Sequence, residues 1–230
     1  MKQSTFDLVN IEVDGVSVLA LKDLSDEKMN PLYVNFASGA LTYRRTHGFG
    51  KGQTLGRAIG LKKGVDTLKV FDATAGLGTD AFMMAALGCT VHAVERSKTV
   101  FALLQDGHER LKRQAEESGD EDLIQLVARL TFSFGDAAEI LASLNENEFP
   151  DVVYVDPMYP EETHSSALPK KSMQMFRRLL EGDTDAEKIL VAARRVSKRI
   201  VVKRPLKAAP LVPRPRQAIE GKTIRYDIYV

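Results

Sequence analysis

Apolar and polar positions along the chain follow two different periods. Within residues 6–21 the apolar side chains alternate with others at Val9, Ile11 and Val13 and again at Val16 and Val18, and the Asp14-Gly15 step divides the two runs. Alternation interrupted by an Asp-Gly pair predicts two strands joined by a tight hairpin. Short apolar runs within 31–43 predict further strands. We therefore expect residues 1–50 to form a small β-rich extension that ends in a basic, glycine-rich loop.

From residue 51 onward, short apolar runs alternate with segments of helical periodicity. Strands are predicted at 68–72, 90–94, 130–134, 151–155, 199–203 and 223–229, and helices at 54–60, 80–87, 97–117, 123–130, 137–144, 170–181 and 185–195. This alternation predicts an α/β fold, with a mostly parallel sheet and helices on both faces. At 230 residues the chain can build one sizeable core, so residues 51–230 are expected to form one domain. The proline-rich stretch 205–215 is predicted to be a loop.

A glycine turn joins the first strand of the predicted sheet to the helix that follows. The segment from Asp72 to Asp80 reads Asp-Ala-Thr-Ala-Gly-Leu-Gly-Thr-Asp. Gly76 and Gly78 allow the backbone to turn sharply and to approach a ligand, and Thr79 or Asp80 is expected to cap the helix. Such a turn is the ligand corner of doubly wound sheets. A carboxylate before it would repel a pyrophosphate, so the turn suits a cationic or hydroxyl-bearing ligand.

Acidic residues follow four successive strands of the predicted sheet. They are Asp72, Glu95, Asp136 and Asp156. Because ligands of open α/β sheets bind at the carboxyl ends of the strands, these positions predict a site. Glu95 suits the two hydroxyls of a ribose, Asp136 with the backbone of Ala137 suits an adenine edge, and the glycine turn suits an amino-acid tail. This set predicts S-adenosylmethionine rather than NAD, whose enzymes usually carry G-x-G-x-x-G.

The segment Asp156-Pro157-Met158-Tyr159-Pro160 resembles the [DN]-P-P-[YF] signature of methyltransferases that modify exocyclic amines of bases. The lone pair of such an amine is delocalised into the ring, so the amine is a poor nucleophile. A carboxylate and a backbone carbonyl that accept from its two N–H groups orient the lone pair at a methyl donor. Asp156 and the Pro157 carbonyl fit these catalytic roles, and Tyr159 would stack on an extruded base.

Composition excludes several other classes of protein. No apolar run reaches the length of a membrane span, and the first residues lack a signal-peptide core. Cys89 is the single cysteine, so it is expected to be buried, and disulfide scaffolds and cysteine-based metal sites are excluded within one chain. No cluster of metal ligands is visible. We expect a cytoplasmic protein with no membrane segment and no metal.

The net charge of +1 conceals a segregated distribution. Between residues 188 and 219 there are ten Lys or Arg and no Asp or Glu, and a second basic cluster lies within 44–63. Segregated positive charge favours a polyanionic partner such as nucleic acid.

Taken together, these motifs resemble the ribosomal small subunit methyltransferase J family. The resemblance covers about residues 40–230 and is carried by the glycine turn, Glu95-Arg96, the Asp156–Pro160 segment, residues 166–173 and residues 202–205. It implies a Rossmann-like class I methyltransferase sheet and methylation of the N2 amine of a guanine near the 3′ end of 16S ribosomal RNA. It also implies S-adenosylmethionine contacts at Thr79 with Asp80, Glu95 with Arg96, Asp136 with Ala137, and Asp156.

With RNA as the implied partner, either as 16S ribosomal RNA or as the small ribosomal subunit, the basic residues acquire a role. We expect phosphates around the target nucleotide to be held by Arg44, Arg45, Lys51, Lys170, Lys171, Lys203 and Arg204. Three alternatives stay open. They are the same chemistry on another base or on a protein glutamine, a NAD-dependent oxidoreductase, and a ribosome-assembly factor that binds RNA without catalysis.

Overall fold

The computed structural model describes residues 5–26, 28–38, 54–62, 67–157, 179 and 185–230. Within these ranges the strands are β1 Phe6–Val13, β2 Val16–Asp23, β3 Lys69–Asp72, β4 Thr90–Glu95, β5 Leu130–Phe134, β6 Val152–Val155, β7 Ile200–Pro205, β8 Gln217–Glu220 and β9 Ile224–Tyr229. The helices are α1 Thr54–Ile59, α2 Thr79–Ala86, α3 Lys98–Ser118, α4 Glu121–Ala128, α5 Ala137–Ser143 and α6 Ala186–Val196, with a 3₁₀ turn at Glu146–Glu148.

Seven of these strands form one sheet in the order β5-β4-β3-β6-β7-β9-β8. The strands from β5 to β7 are parallel, and β9 runs antiparallel to both of its neighbours. The chain builds outward on one side of β3 through β4 and β5, and on the other side through β6 and β7. The order therefore reverses between β3 and β6, which opens a crevice at their carboxyl ends. The predicted mostly parallel α/β sheet is confirmed.

Two hydrophobic cores cover the two faces of the sheet. One face packs against α2, α3 and the N-terminal hairpin, through residues such as Phe82, Leu104 and Leu21. The other face packs against α5 and α6, through residues such as Leu141 and Leu190. Cys89 is fully buried, as predicted. Across the described ranges, each helix is too short or too polar to span a membrane.

The N-terminal hairpin forms where the sequence predicts it. Asp14 and Gly15 have φ of 50° and 77°, the left-handed pair that a tight two-residue turn between twisted strands requires. The strands predicted within 31–43 do not form as predicted in the described residues. In residues 31–38 only Leu32 makes a bridge, to Leu21, while Val34 and Phe36 are buried in the main core. Packing against α3, rather than strand pairing, therefore organises this segment; the division near residue 50 stays a prediction.

Strand β8 was not predicted from sequence. Three of its four residues are exposed and only Ile219 is buried, so the apolar pattern is too short to be read. Pairing with β9 makes it a strand.

Candidate active site

The glycine turn after β3 is built around left-handed backbone. Gly76 and Gly78 have φ of 52° and 75°. The N–H of Ala75 donates to the Val94 carbonyl at 2.9 Å, which ties the turn to β4. A Cβ on Gly78 would lie 2.7 Å from both Leu104 and Phe36. Glycine is required at this position by its φ and by the close approach of the core.

Helix α2 begins differently from the prediction. Its N-cap is Gly78, and no side chain caps it. Thr79 is exposed, and the Asp80 carboxylate is engaged by two other groups, the Tyr154 hydroxyl at 2.7 Å and Lys203 Nζ at 2.7 Å. The prediction that Thr79 or Asp80 caps this helix is wrong because tertiary partners hold the Asp80 carboxylate.

Glu95, at the end of β4, connects two parts of the site. Its Oε2 accepts the N–H of Gly76 at 2.9 Å, and its Oε1 accepts the N–H of Ser97 at 2.7 Å. Burial raises the pKa of Glu95, and these backbone donors oppose that shift. Each carboxylate oxygen has a further lone pair, so Glu95 can brace the turn and still accept from a ligand.

The glycine turn and the segment that begins at Asp156 meet at Thr74. The backbone N–H of Asp156 donates to Thr74 Oγ1 at 2.6 Å, although the two residues are 82 positions apart. Pro157, the next residue, is buried. The end of β6 therefore lies directly beside the glycine turn.

A cluster of charged groups occupies the same edge of the sheet. Lys203 Nζ lies 2.7 Å from an oxygen of Asp80 and 2.9 Å from an oxygen of Asp156. The hydroxyl of Tyr154 donates to Asp80, and Asp72 lies nearby at the end of β3. Among the described residues, three carboxyl groups therefore lie near one ammonium.

Burial dominates the electrostatics of Asp72. It raises the pKa of this carboxyl to about 8, and the charges of Asp80 and Asp156 add to the shift. The Thr74 N–H and the Lys203 ammonium oppose it. Burial also raises the pKa of Asp156, and Lys203 opposes that change. Even with Asp72 neutral, two carboxylates face one cation, which favours a positively charged ligand.

Comparison with known proteins shows which family the chain belongs to. The family described as "Putative SAM-dependent methyltransferase" matches residues 2–230. The ribosomal RNA small subunit methyltransferase J of Pseudoalteromonas atlantica is 46% identical over 217 residues, which cover 92% of this chain and 81% of the relative. That of Pseudomonas aeruginosa is 42% identical over 224 residues, covering 96% and 81%. The chain belongs to the ribosomal RNA small subunit methyltransferase J family.

A solved structure supports the same assignment. The crystal structure of an S-adenosylmethionine-dependent methyltransferase from Neisseria gonorrhoeae is 35% identical, with a TM-score of 0.68 over 93% of this chain and 79% of that one. This member of the methyltransferase J family is therefore an S-adenosylmethionine-dependent enzyme with the class I methyltransferase fold. The cofactor prediction is confirmed at the level of the family.

The described residues fit that cofactor. S-adenosylmethionine carries a sulfonium, an ammonium and two ribose hydroxyls. The excess of carboxylate around Lys203 complements the positive groups, and Glu95 has acceptor capacity beside the turn. A pyrophosphate would instead face Asp72 and Asp80, both of them carboxylates. Within the described ranges, no group of three or more His, Cys, Asp or Glu side chains is arranged to hold a metal ion.

Asp136 lies at the end of β5, next to this edge. The N–H of Gly135 donates to the carbonyl of Glu95 at 3.1 Å, so the ends of β4 and β5 are joined. One oxygen of Asp136 caps α5 by accepting the N–H of Ala138 at 2.8 Å. Ala137 is buried beneath it. Helix capping is enough to explain an aspartate at this position. The predicted contact of Asp136 and the Ala137 backbone with adenine therefore stays a prediction.

Arg96, the residue after Glu95, pairs with a carboxylate outside the charged cluster. Its guanidinium pairs with Asp185, just before α6, at 2.9 Å, and both side chains are partly exposed. The predicted cofactor contact of Arg96 therefore depends on its backbone or on a change of this ion pair.

The predicted phosphate contacts are only partly described. Lys203 is engaged by Asp80 and Asp156, and Arg204 is 3% exposed with its guanidinium donating to the Ala209 carbonyl. Lys203 is nonetheless 23% exposed, and the phosphate contacts predicted for Lys203 and Arg204 stay predictions. The remaining predicted residues, Arg44, Arg45, Lys51, Lys170, Lys171 and the base-stacking Tyr159, lie outside the described residues.

Sequence reasoning missed the contribution of Tyr154. This residue stands two positions before Asp156 in a strand, so its side chain leaves the same face of the sheet. Strand periodicity therefore placed the Tyr154 hydroxyl beside the predicted site, but its partner Asp80 comes from a helix 74 residues away.

Proposed function

We propose that this protein methylates the exocyclic N2 amine of a guanine in the ribosomal RNA of the small subunit. The observation that carries the proposal is the contact between Asp156 and Thr74, which holds the amine-binding signature beside the cofactor turn. Relatives of 46% and 42% identity bear names that specify the small-subunit ribosomal RNA. Such a substrate would place the enzyme in the cytoplasm.

Asp156 and Pro157 would orient the substrate amine. The carboxylate of Asp156 and the carbonyl of Pro157 would each accept one N–H of the amine, so that its lone pair points toward the methyl donor. Tyr159 would stack on the extruded guanine. We assign phosphate binding to the basic residues at 44–51 and 170–171.

The cofactor would be held along the strand ends. Glu95 would accept from the ribose hydroxyls, Asp136 and Ala137 would face the adenine, and the turn containing Gly76 and Gly78 would face the amino-acid tail. Thr79, Asp80, Arg96 and Asp72 would complete its surroundings. S-adenosylmethionine supplies an electrophilic methyl group on a sulfonium, and no metal is needed for its transfer. The new N–C bond would form as the S–C bond to the methyl group breaks, which leaves S-adenosylhomocysteine, and the amine would lose one proton to water.

The proposal is tested by offering the enzyme several acceptors together with isotopically labelled S-adenosylmethionine. The acceptors are small ribosomal subunits and free 16S RNA from cells lacking this enzyme, duplex DNA, and a glutamine-bearing protein. We expect label in ribosomal RNA alone, recovered as N2-methylguanosine after nuclease digestion and mass spectrometry. Label in another nucleoside, in DNA or in protein would overturn the proposed substrate.

Calorimetry with S-adenosylhomocysteine and NADH addresses the remaining alternatives. We expect binding of S-adenosylhomocysteine alone. Binding of NADH instead would indicate an oxidoreductase, and RNA binding without any methyl transfer would indicate an assembly factor.

A further inference from the structure

Lys203 lies at the centre of the charged cluster, although it belongs neither to the glycine turn nor to the Asp156–Pro160 segment. It stands near the carboxyl end of β7, and its neighbour across the sheet, on β9, is Tyr226. Its ammonium joins Asp80, from the first turn of α2, to Asp156, from the end of β6. One side chain therefore links two elements on which the cofactor turn and the amine-binding signature depend.

We propose that Lys203 is a positioning residue: its ammonium keeps the Asp156 carboxylate ionised and holds it in one orientation toward the substrate amine. The inference rests on the proposed function, because it assigns the residue that prepares Asp156 for its role.

The contacts of Asp156 leave one acceptor for the substrate. Its backbone N–H is fixed by Thr74, and its Oδ2 accepts from Lys203. The other oxygen, Oδ1, receives no hydrogen bond from the described residues, and the side chain is 36% exposed. An Asp156 held at two points thus keeps one carboxylate oxygen that no described donor occupies.

The ammonium also offsets a concentration of negative charge. Asp72, Asp80 and Asp156 lie together, and in the described part of the chain the hydroxyls of Tyr154 and Tyr226 are the other titratable groups facing them. Like charges favour protonation of one carboxyl, and a protonated Asp156 would be a weaker acceptor for an amine. Burial alone would lower the pKa of Lys203, but Asp156 and Asp80 raise it above its ordinary value, so this side chain stays charged.

The direct test measures the titration of Asp156 in the protein alone, without RNA or cofactor. Side-chain carboxyl carbons are followed by NMR against pH in the wild type, Lys203→Met and Lys203→Arg, with Asp156→Asn assigning the resonance. We expect Lys203→Met to raise the pKa of Asp156 by about 1 to 3 units and Lys203→Arg to leave it near the wild-type value. An unchanged pKa in Lys203→Met would overturn the proposal.

Methyl transfer supplies a second readout. The acidic limb of the pH profile of kcat should move to higher pH in Lys203→Met, with recovery at alkaline pH, and Lys203→Arg should restore it. If Lys203 only supported the fold, Lys203→Met would lower kcat equally at all pH values. If Lys203 bound phosphate, Lys203→Met would raise KM and make KM less dependent on salt. Either result contradicts the proposal.

Two further variants make the test independent of folding defects. Lys207→Met, which removes an exposed lysine of the same segment, should match the wild type in both measurements. If Lys203→Met does not fold, as judged by circular dichroism, Lys203→Gln takes its place in both measurements, with the same expected rise in the pKa of Asp156. Lys203→Gln combined with Asp80→Asn removes one of the opposing carboxylates and should show a smaller rise in that pKa than Lys203→Gln alone; an equal or larger rise would contradict the proposal. A wild-type enzyme that methylates no RNA would overturn the proposed function but leave the NMR result interpretable.

Discussion

Lys203 and Arg204 are neighbours in β7, but their side chains lie on opposite faces of the sheet and have different partners. Lys203 joins the carboxylates of Asp80 and Asp156 at the open edge. Arg204 turns to the opposite face, where its guanidinium donates to the Ala209 carbonyl. Adjacent strand residues necessarily alternate, so a single basic pair in the sequence serves two separate clusters.

The cluster around Arg204 is closed by backbone and by a matched carboxylate. Arg225 makes two hydrogen bonds to Asp227, at 2.8 and 3.1 Å, and a third to the carbonyl of Leu206 at 2.7 Å. The hydroxyl of Tyr229 donates to the Val212 carbonyl at 2.8 Å. These contacts fasten the proline-rich stretch 205–215 to β7 and β9.

The two clusters differ in charge balance and exposure. Among the described residues of the Arg204 face, two guanidinium groups accompany the carboxylate of Asp227, whose side chain is 1% exposed. Among those of the Lys203 face, carboxylates outnumber the ammonium of Lys203, which is 23% exposed. A closed cluster with carbonyl partners stabilises the fold, whereas an open cluster with uncompensated negative charge can bind a cationic ligand. Substitutions in the Arg204 cluster should therefore change stability, and substitutions in the Lys203 cluster should change catalysis.

The largest effect is expected from Asp227→Ala. It would remove the carboxylate that binds the buried Arg225 guanidinium, which typically costs about 3–5 kcal/mol. Urea unfolding should show that loss, while kcat of the folded fraction stays at the wild-type value. Asp185→Ala, which removes an exposed ion-pair partner, is the control and should unfold near the wild-type midpoint. A stable Asp227→Ala with reduced kcat would reverse the comparison.

Asp156→Asn is expected to have the next largest effect, on catalysis instead of stability. The amide keeps the size of the side chain but loses the charge that accepts from the amine, so kcat should fall on the order of 10²- to 10³-fold. Labelled methyl transfer to ribosomal RNA measures it. Asp151→Asn changes the carboxylate just before the same strand and should retain activity. Full activity in Asp156→Asn would refute its catalytic role.

Asp72→Asn should stabilise the protein as the pH rises. The folded-state pKa of Asp72 is raised from 3.8 to about 8, so its stabilising contribution is complete below about pH 4 and is lost as the pH rises toward 8. Asparagine removes this dependence while keeping the acceptor for Thr74. Because each pKa unit is worth about 1.4 kcal/mol and relaxation absorbs part of it, we expect a gain on the order of 2 kcal/mol at alkaline pH. Equal slopes of unfolding free energy against pH for the two proteins would contradict the assignment.

The smallest effects come from two tyrosines that form a matched pair. Tyr154→Phe removes a hydrogen bond to Asp80. We expect the binding free energy of S-adenosylhomocysteine, measured by calorimetry, to weaken by about 1–2 kcal/mol. Tyr229→Phe removes a hydrogen bond to the Val212 carbonyl on the other face, and it should lower the unfolding free energy by about 1 kcal/mol with binding unchanged. If both variants bound alike, the two clusters would not be functionally distinct.

Much of the fold could be read from the sequence because its signals are local. The Asp14-Gly15 hairpin turn and the left-handed glycines of the cofactor turn are conformations set by residue type. Strand periodicity placed Glu95 and Asp156 at the carboxyl ends of two strands. Parallel strands bring those ends to one edge, so the edge at which we propose the site follows from the pattern alone.

Other features depended on packing between distant elements. The segment 31–38 has the alternation of a strand, but burial of Val34 and Phe36 in the core decides its path. The capping signal at Thr79 and Asp80 was overridden because Asp80 finds Tyr154 and Lys203. Strand β8 has too few buried positions to be seen before β9 is in place.

The sequence by itself determined the α/β order, the glycine turn and the acidic strand ends, since period, turn chemistry and strand direction are local properties. Only the tertiary structure decided which cation serves the site. Sheet register turns Lys203 toward Asp80 and Asp156 and sends Arg204 to the Ala209 carbonyl. Burial then sets the charge of Asp72. Both outcomes depend on neighbours brought together by folding, and the one-dimensional pattern contains neither the register nor the burial.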